Sequence, residues 1–339
     1  MMNGEERVMG ALARKPIDRV PSFEWELSRV VIEALSPGED ELGFVENMDL
    51  DGICVYPDYR NELIDDVTYR TEWGIIKRKT SEVQDIPAGG PVKEPEDLDT
   101  YRPPDPNAPW RLDTMNRALK RFKEKRAVIL HLNDVFSLPS RIMAFDEFLM
   151  AIHTEPEMVD RLIGITVEYN IALAKRAWNE GLRIVMTGDD FCYSKGPMFS
   201  PEKFRELFFP WYKKVMAAYK DIGFMVIKHC DGNVLPLIDM ITDAAIDCYD
   251  PMEPAAGMQL AWFKEKYGSK LCLKGNVDCA QTLTFGSVED TINETKECLR
   301  IGMPGYGYIL SSSNSIHSKV KPENYRAMLD TLHEFGVYN

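Results

Sequence analysis

Residues 224–232 read Phe-Met-Val-Ile-Lys-His-Cys-Asp-Gly, a short apolar run that ends in polar and acidic residues. Such a run is typical of a buried strand in a parallel sheet, and a helical pattern follows it. The runs of this kind are Val20–Glu26, Gly52–Asp58, Ala127–Asp134, Arg183–Asp190, Phe224–Asp231, Ala245–Glu253, Leu271–Asp278 and Tyr308–Asn314. Eight strands, each followed by helix, predict an α/β fold of the (β/α)8 TIM barrel type, because closure is the economical arrangement at this number.

Amphipathic helical patterns lie between most of these runs, and their starts are well marked. Ser200-Pro201-Glu202, for example, places a capping serine before a proline at the first helical position. The predicted helices are Leu27–Leu35, Trp110–Glu124, Phe145–Ile152, Pro156–Asn179, Pro201–Lys220, Val234–Thr242, Met258–Tyr267, Val288–Ile301 and Pro322–Phe335. A doubly wound sheet is the alternative fold, but no Gly-x-Gly-x-x-Gly segment follows an early strand.

One insertion interrupts the alternation between the second strand and the helix that begins at Trp110. It contains a predicted hairpin, Val67–Lys79, and a Pro-rich stretch from Pro87 to Pro109. A long insertion after a barrel strand usually covers the active-site mouth, and the alternative is a surface excursion that only packs. Since the barrel needs the strands on both sides of the insertion, we predict a single domain over residues 1–339.

Composition and charge exclude several classes of protein. The chain of 339 residues is 45% hydrophobic and has a net charge of −14, which argues against nucleic acid as the main ligand. No run of 18 apolar residues predicts a membrane span, and the charged N-terminus has no signal-peptide core. Seven scattered cysteines form no disulfide framework and suit reduced thiols in a cytoplasm. A homodimer is compatible with the sequence.

Polar residues gather at the predicted strand ends, where a barrel of this type keeps its chemistry. Strand geometry places His229 and Asp231 on one side and Cys230 on the other, although His229 and Cys230 could converge where the strand ends. His229 and Asp231 are therefore candidate metal ligands or an acid/base pair. Glu253, in a turn bounded by prolines, is a candidate ligand or base, the alternative being a helix-capping or solvent-facing residue. One acid of the Asp189-Asp190 pair is a candidate for proton transfer.

The order of these motifs resembles the uroporphyrinogen decarboxylase superfamily. The resemblance rests on His229-x-x-Gly-Asn, on Glu253 in its turn, on Gly275-Asn276-Val277 and on Ser200-Pro201-Glu202-Lys203-Phe204. It covers most of the chain and is strongest from Ile184 to Asn324. It implies a barrel that belongs to one of two functional branches, the decarboxylases of haem synthesis or the corrinoid-dependent methyltransferases.

The segment after the first predicted strand separates the two branches. The decarboxylases carry Arg-rich sequence there, which grips a substrate with eight carboxylates. This chain has Glu24, Glu26 and only one arginine, Arg29, in that place. Unpaired like charges repel, so the sequence favours a methyltransferase and keeps a decarboxylase as the alternative.

The methyltransferase branch implies a zinc site made of a His-x-Cys motif, an acid from the next strand and a distal cysteine. The matching positions here are His229, Asp231, Glu253 and Asn314, so both thiolate positions are changed. Zn²⁺ also accepts imidazole and carboxylate ligands, with Cys230 as an additional candidate. Such a set suits the activation of an ether or alcohol oxygen better than that of a thiol.

The changed motif implies a methyltransferase that moves a methyl group from an O-methyl substrate, as in a methoxyarene, to cobalt(I) of a separate corrinoid protein. No corrinoid-binding Asp-x-His-x-x-Gly segment is present, so cobalamin would arrive on that partner. His229 and Glu253, with or without Zn²⁺, would activate the leaving oxygen, and Asp190 or Asp231 would transfer protons. The candidate substrate contacts are Trp25, Tyr56, Phe136, Phe191, Tyr193, Asn276 and Asn314. A non-catalytic, partner-binding barrel is the third alternative.

Overall fold

The computed structural model describes residues 2–338, which form a sheet-and-helix architecture. The strands are β1 (Gly52–Val55), β2 (Glu62–Leu63), β3 (Thr68–Arg70), β4 (Ile76–Arg78), β5 (Ile86–Gly89), β6 (Ala127–Leu132), β7 (Ile184–Gly188), β8 (Cys192–Tyr193), β9 (Gly196–Pro197), β10 (Met225–His229), β11 (Cys248–Asp250), β12 (Cys272–Val277) and β13 (Tyr308–Ser312).

The α-helices follow the strands in most of the chain. They are α1 (Gly4–Leu12), α2 (Arg29–Leu35), α3 (Glu41–Asn47), α4 (Asp97–Thr100), α5 (Asp113–Phe122), α6 (Ser137–Met143), α7 (Phe145–Thr154), α8 (Pro156–Asn179), α9 (Pro201–Lys203), α10 (Phe209–Ile222), α11 (Ile238–Asp243), α12 (Leu260–Tyr267), α13 (Thr282–Phe285), α14 (Val288–Gly302) and α15 (Pro322–Phe335). None of these helices is both long and apolar enough to cross a bilayer.

Seven strands form one curled parallel sheet in the order β1-β6-β7-β10-β11-β12-β13. Strands β1, β6, β7, β12 and β13 are buried along their whole length, as expected when both faces of a parallel sheet are covered. In register, His229 lies opposite Gly188 of β7 and Asp250 of β11. The carboxyl ends of these three strands are therefore level, which brings the residues after them together.

Residues 20–27 lie between the two edges of this sheet and do not form a regular strand. The Pro21 carbonyl accepts a hydrogen bond of 3.0 Å from Leu310 N–H, and the Ser22 carbonyl accepts one of 2.8 Å from Asp51 N–H. Pro21 has no N–H, and the Ser22 N–H donates to the Asp51 carboxylate. The ladder is thus reduced to isolated bridges, and the sheet has seven strands where eight were predicted.

Two predicted helices differ from the structure at prolines. The helix predicted over Val234–Thr242 begins only at Ile238, because Pro236 disfavours helical backbone in the residue before it. The helix predicted over Pro201–Lys220 contains a π-helical turn at Phe204–Phe208. Pro210 follows this turn and has no N–H to donate to the preceding turn of the helix, which explains the irregularity.

The segment between β1 and α5 contains a second, antiparallel sheet of order β2-β3-β4-β5. Strands β3 and β4 pair with Tyr69 opposite Lys77, and β5 continues the sheet. The loop from 81 to 85 joins β4 to β5 and reaches the segment after β13, where Ser318 donates its hydroxyl hydrogen bond of 2.6 Å to Glu82. This contact places the loop above the carboxyl end of the parallel sheet.

Candidate active site

His229, the last residue of β10, is held by a buried chain of polar groups. Its Nδ1 lies 2.5 Å from Oδ2 of Asp250, the last residue of the neighbouring β11. Asp250 Oδ1 accepts a second hydrogen bond of 2.8 Å from Lys274 Nζ, which also donates to the Ser311 hydroxyl. All four side chains are buried. The network fixes the imidazole ring and directs Nε2 away from Asp250.

Two carboxylates lie beside that free nitrogen. Oδ1 of Asp231 is 3.5 Å and Oδ1 of Asp190 is 3.8 Å from His229 Nε2. One potential ligand atom from each of the three residues lies within 4.8 Å of the others. Within residues 2–338, His229 Nε2 and Asp231 Oδ1 are buried atoms without a hydrogen-bond partner. The group has the spacing and the unsatisfied atoms that a cation or a shared proton would use.

The charges of this group act on each other strongly because water is excluded. Burial lowers the pKa of His229, but the carboxylates of Asp231 and Asp250 outweigh it and raise the pKa to about 10. Burial and then the neighbouring Asp231 raise the pKa of Asp190. The imidazole is therefore held as a cation between acids in the absence of another positive charge.

The remaining predicted ligands lie around this group in other roles. Glu253 accepts a hydrogen bond of 2.9 Å from Gly232 N–H through Oε2, at the start of the short 3₁₀ turn Pro254–Ala256. Cys230 is buried on the other side of the strand, within the hydrophobic core. Burial, together with the adjacent Cys192 thiol, raises the pKa of Cys230. The structure thus groups Asp190, rather than Glu253 or Cys230, with His229 and Asp231.

A cavity of about 350 Å³ extends from Asp190 toward the inserted sheet. Its aromatic lining consists of Trp25, Tyr56, Tyr59, Tyr69 and Trp73. The Trp25 ring centroid is 3.8 Å from that of His229, so this indole covers the imidazole. Tyr56 packs against His131, with ring centroids 4.7 Å apart. A second opening next to it is lined by Asp190, Asp231 and Asn314, and so reaches the same group.

The structure separates the predicted substrate contacts into two sets. Trp25, Tyr56 and Asn314 line these openings, and Asn314 Nδ2 donates a hydrogen bond of 2.7 Å to Asp231. Phe136 and Phe191 pack in the aromatic core, with centroids 6.5 Å apart.

The two other predicted contacts also lie away from the cavity lining. Asn276 is buried and donates its side-chain amide to the Met252 carbonyl. The Tyr193 side chain is 49% exposed on β8.

The loop at 81–85 covers one side of the openings. Gln84 Nε2 donates to both carboxylate oxygens of Glu26 at 3.2 and 3.1 Å, and the Tyr56 hydroxyl donates to Glu26 Oε1 at 2.5 Å. Ser315 also donates to this carboxylate, at 2.9 Å. Glu26 therefore connects the inserted loop to the rim of the parallel sheet.

Sequence reasoning missed the partners that orient His229. Asp250 was visible as an acid in the same predicted strand as Glu253, and the level ends of parallel strands could have placed it opposite His229. His131, which lies within the predicted strand Ala127–Asp134, lines the cavity, and burial lowers its pKa to about 3. Gly188 leaves room for that ring, because an added Cβ would lie 2.3 Å from His131 Nε2.

Glu24 gives a prediction about the pH dependence of stability. Burial raises the pKa of Glu24 from 4.5 to about 7, against the opposing effects of Lys274 and the Ser312 hydroxyl. The native state then binds more protons than the unfolded state between these values, so the free energy of unfolding falls as pH rises from about 4.5 to about 7. We expect Glu24→Gln to remove about 3 kcal/mol of this fall in urea unfolding. Glu33→Gln, at an exposed position, is the control, and parallel pH profiles for wild type and Glu24→Gln would contradict the expectation.

The fold and site together define an α/β protein with a cluster of candidate acid/base or metal-binding groups at the carboxyl ends of parallel strands. Comparison with known proteins gives the family. The family described as Uroporphyrinogen decarboxylase (URO-D) matches residues 82–335. The chain belongs to this family, as its sequence motifs indicated.

Individual relatives come from two kinds of protein. A methylated-thiol–coenzyme M methyltransferase of Methanosarcina mazei is 23% identical over 230 residues, which are 68% of this chain and 59% of that protein. A uroporphyrinogen decarboxylase of Alkalilimnicola ehrlichii is 21% identical over 193 residues, or 55% of this chain and 49% of that protein. The chain thus spans about half to three-fifths of these curated relatives.

One solved structure shares the fold over the whole chain. A methyltransferase from Methanosarcina mazei superposes with a TM-score of 0.79 and 18% sequence identity, covering 99% of each chain. The likeness supports the α/β architecture described above.

Proposed function

We propose that this protein is a methyltransferase that moves a methyl group from an O-methyl substrate, a methoxyarene, to cobalt(I) of a separate corrinoid protein. The observation that carries the proposal is the group of Asp190, His229 and Asp231, with two buried atoms that lack partners, beside an aromatic cavity that Asp190 lines. The methyltransferases among the relatives support the class of reaction.

The three residues fit a Zn²⁺ ion. Zinc binds imidazole nitrogen and carboxylate oxygen. Nε2 of His229 and Oδ1 of Asp231, which have no hydrogen-bond partner, are ligand atoms of these two kinds. Asp250 would act as the residue that orients the imidazole from its other nitrogen, an arrangement common among metal-bound histidines. When bound, the ion would supply Lewis acidity to the ether oxygen of the substrate.

The protein's own groups act on the leaving oxygen. The O–CH₃ bond breaks as the methyl group passes to the acceptor, and the departing aryloxide gains negative charge. Without the ion, the protonated imidazole of His229 would stabilise that charge and supply the proton that the product phenol retains, with Asp190, whose pKa burial raises, as the alternative donor. Asp231, positioned by Asn314, would then pass a proton from solvent to the group that lost one. Zinc bound through His229, Asp231 and Glu253 is the alternative ligand set.

The cavity accounts for the choice of substrate. Five aromatic side chains line a space of about 350 Å³, which is the size of a pocket for a small aromatic molecule. Trp25 and Tyr56 lie near the imidazoles and would pack against the ring of a methoxyarene. A corrinoid protein would dock over the same end of the sheet. A decarboxylase is less supported because the cavity sets only two cations, Lys77 and Arg141, beside the acids Glu26, Asp85 and Asp190, too few for a substrate with eight carboxylates.

We also propose that residues 1–339 form one (β/α)8 barrel domain in which residues 20–27 take the place of the eighth strand. Their hydrogen bonds to β13 and to the start of β1 support this interpretation. The inserted sheet then belongs to the barrel as a cover over its carboxyl end. Location in the cytoplasm and a homodimeric state stay predictions.

The test is a methyl-transfer assay with the purified chain, cobalt(I) cobalamin and a panel of methoxyarenes. We expect formation of methylcobalamin together with one phenol for each methyl group transferred. Asp190→Asn should lower the rate at least tenfold, and Tyr193→Ala, at an exposed position outside the group, should leave it unchanged. No turnover with any methoxyarene would refute the proposal, and coproporphyrinogen formed from uroporphyrinogen would establish the decarboxylase instead.

A further inference from the structure

Two cationic side chains line the aromatic cavity, and both lie far in sequence from Asp190, His229 and Asp231. Lys77 lies on β4 of the inserted sheet, and Arg141 lies on α6. Neither residue forms an ion pair within 4.0 Å or donates a side-chain hydrogen bond to another part of residues 2–338. Both side chains are only partly exposed. The cavity therefore contains two positive charges that the protein does not neutralise by direct contact.

The two cations oppose each other. Burial lowers the pKa of Lys77, and the positive charge of Arg141 lowers it further. Two like charges around one cavity cost free energy unless an anion lies between them or water solvates both fully. An anionic group on a ligand would remove this cost.

The carboxylates near these cations already have other donors. Asp85 accepts hydrogen bonds of 2.7 Å from the Tyr69 hydroxyl and 2.9 Å from Thr80 N–H. Glu26 accepts from Tyr56, Gln84 and Ser315, as described above. These acids raise the pKa of Lys77 less than burial and Arg141 lower it. The carboxylates of Glu26 and Asp85 thus accept hydrogen bonds from neutral groups, whereas Lys77 and Arg141 have no hydrogen-bond acceptor.

We propose that Lys77 and Arg141 bind a carboxylate on the substrate, so that the preferred methyl donor is a methoxyarene carrying a carboxylate, such as a methoxybenzoate. This inference rests on the proposed function for the methoxy group, but the binding of the anionic arene does not require methyl transfer. The aromatic wall packs against the ring, the cations hold its carboxylate, and the methoxy group points toward Asp190. A guanidinium and an ammonium together recognise a carboxylate better than either alone.

The test compares two ligands by calorimetry on the purified full chain: methoxybenzoate, and methoxybenzyl alcohol with the same substitution pattern. We expect Lys77→Met and Arg141→Met each to weaken methoxybenzoate binding about 10- to 100-fold. Binding of the neutral alcohol should change less than threefold. Arg78→Met is the matched control, since Arg78 is the next residue on β4, is exposed and does not line the cavity.

Each outcome decides the matter. Equal affinity for the two ligands, no measurable binding of methoxybenzoate, or the same weakening of both ligands in the variants would overturn the inference. Thermal melting confirms that the variants are folded, and Lys77→Met, on the inserted sheet, provides the test if Arg141→Met unfolds the protein. Binding of methoxybenzoate that requires Lys77 and Arg141, without methyl transfer to cobalt(I), would support the carboxylate site and refute the proposed reaction.

Discussion

Substitution of His229 by alanine is expected to abolish zinc binding by the purified protein, and Asp190→Asn and Asp231→Asn should each weaken it on the order of 100-fold. The three residues bring their potential ligand atoms within 4.8 Å of one another. Removal of one ligand leaves too few groups to replace the water around the ion. Wild-type protein should bind about one equivalent of Zn²⁺, measured by metal analysis after dialysis and by competition with a chelator.

Glu253→Gln is the informative control for this experiment. The Glu253 carboxylate accepts the Gly232 N–H, and an amide oxygen can accept the same hydrogen bond. Zinc content should therefore stay near that of the wild type. Loss of zinc in Glu253→Gln with retention in Asp190→Asn would show that the ion takes the ligand set expected from the family motif. Absence of zinc in all proteins would leave an acid/base site without metal.

The placement of the site at the strand ends could be predicted because it follows from the periodicity of the sequence. Apolar runs that end in acids predict buried parallel strands, and such strands present their carboxyl ends at one edge. His229, Asp190 and Asp231 were all found in this way. The same reasoning placed Trp25 and Tyr56 at the rim, where they line the cavity.

The pairing within the site was not predicted, because it depends on where each strand stops, and the apolar pattern does not mark that residue. The run Ala245–Glu253 was read as one strand, but the strand ends at Asp250 and the next residues turn through Pro251. Asp250 is thereby level with His229, and Glu253 lies beyond the ladder. Residues 20–27 do not form a regular strand because the Ser22 N–H donates to the Asp51 carboxylate instead of to a neighbouring strand. The sequence pattern does not show that hydrogen bond either.

The inserted sheet shows another limit of sequence reasoning. The hairpin signal was local, whereas the contacts of Gln84 with Glu26 and of Glu82 with Ser318 join residues far apart in the chain. No periodicity carries that information. Lys77 and Arg141 line the same cavity only because the inserted sheet packs over the carboxyl end of the parallel sheet.

Lys228→Met is expected to destabilise the fold by about 3–5 kcal/mol, because it leaves a buried carboxylate without its counter-ion. Lys228 Nζ lies 2.6 Å from Asp134 Oδ2, and both side chains are fully buried. Burial alone would raise the pKa of Asp134, but the charge of Lys228 and the hydrogen bonds that Asp134 accepts from Lys228 and from Val135 N–H together hold the pKa below the ordinary value. Unfolding in urea, monitored by tryptophan fluorescence, gives the free energy of unfolding.

The neighbouring Asp189 makes this loss difficult to repair locally. Burial raises the pKa of Asp189, and the charge of Asp134 raises it further. Asp189 is itself an acid and offers Asp134 no positive charge when Lys228 is removed. The double variant Lys228→Met/Asp134→Leu should recover at least half of the loss, since an apolar pair replaces the charged one.

An exposed ion pair provides the matched comparison. Lys214→Met removes the same side chain from a pair with Glu168 in which both partners are about half exposed. Water solvates these charges in either state, so the free energy of unfolding should change by less than about 1 kcal/mol. Similar losses for Lys228→Met and Lys214→Met would show that the buried pair is not held by its charge. A double variant as unstable as Lys228→Met would place the cost in lost packing of the lysine side chain rather than in charge, because Asp134→Leu removes the unpaired carboxylate.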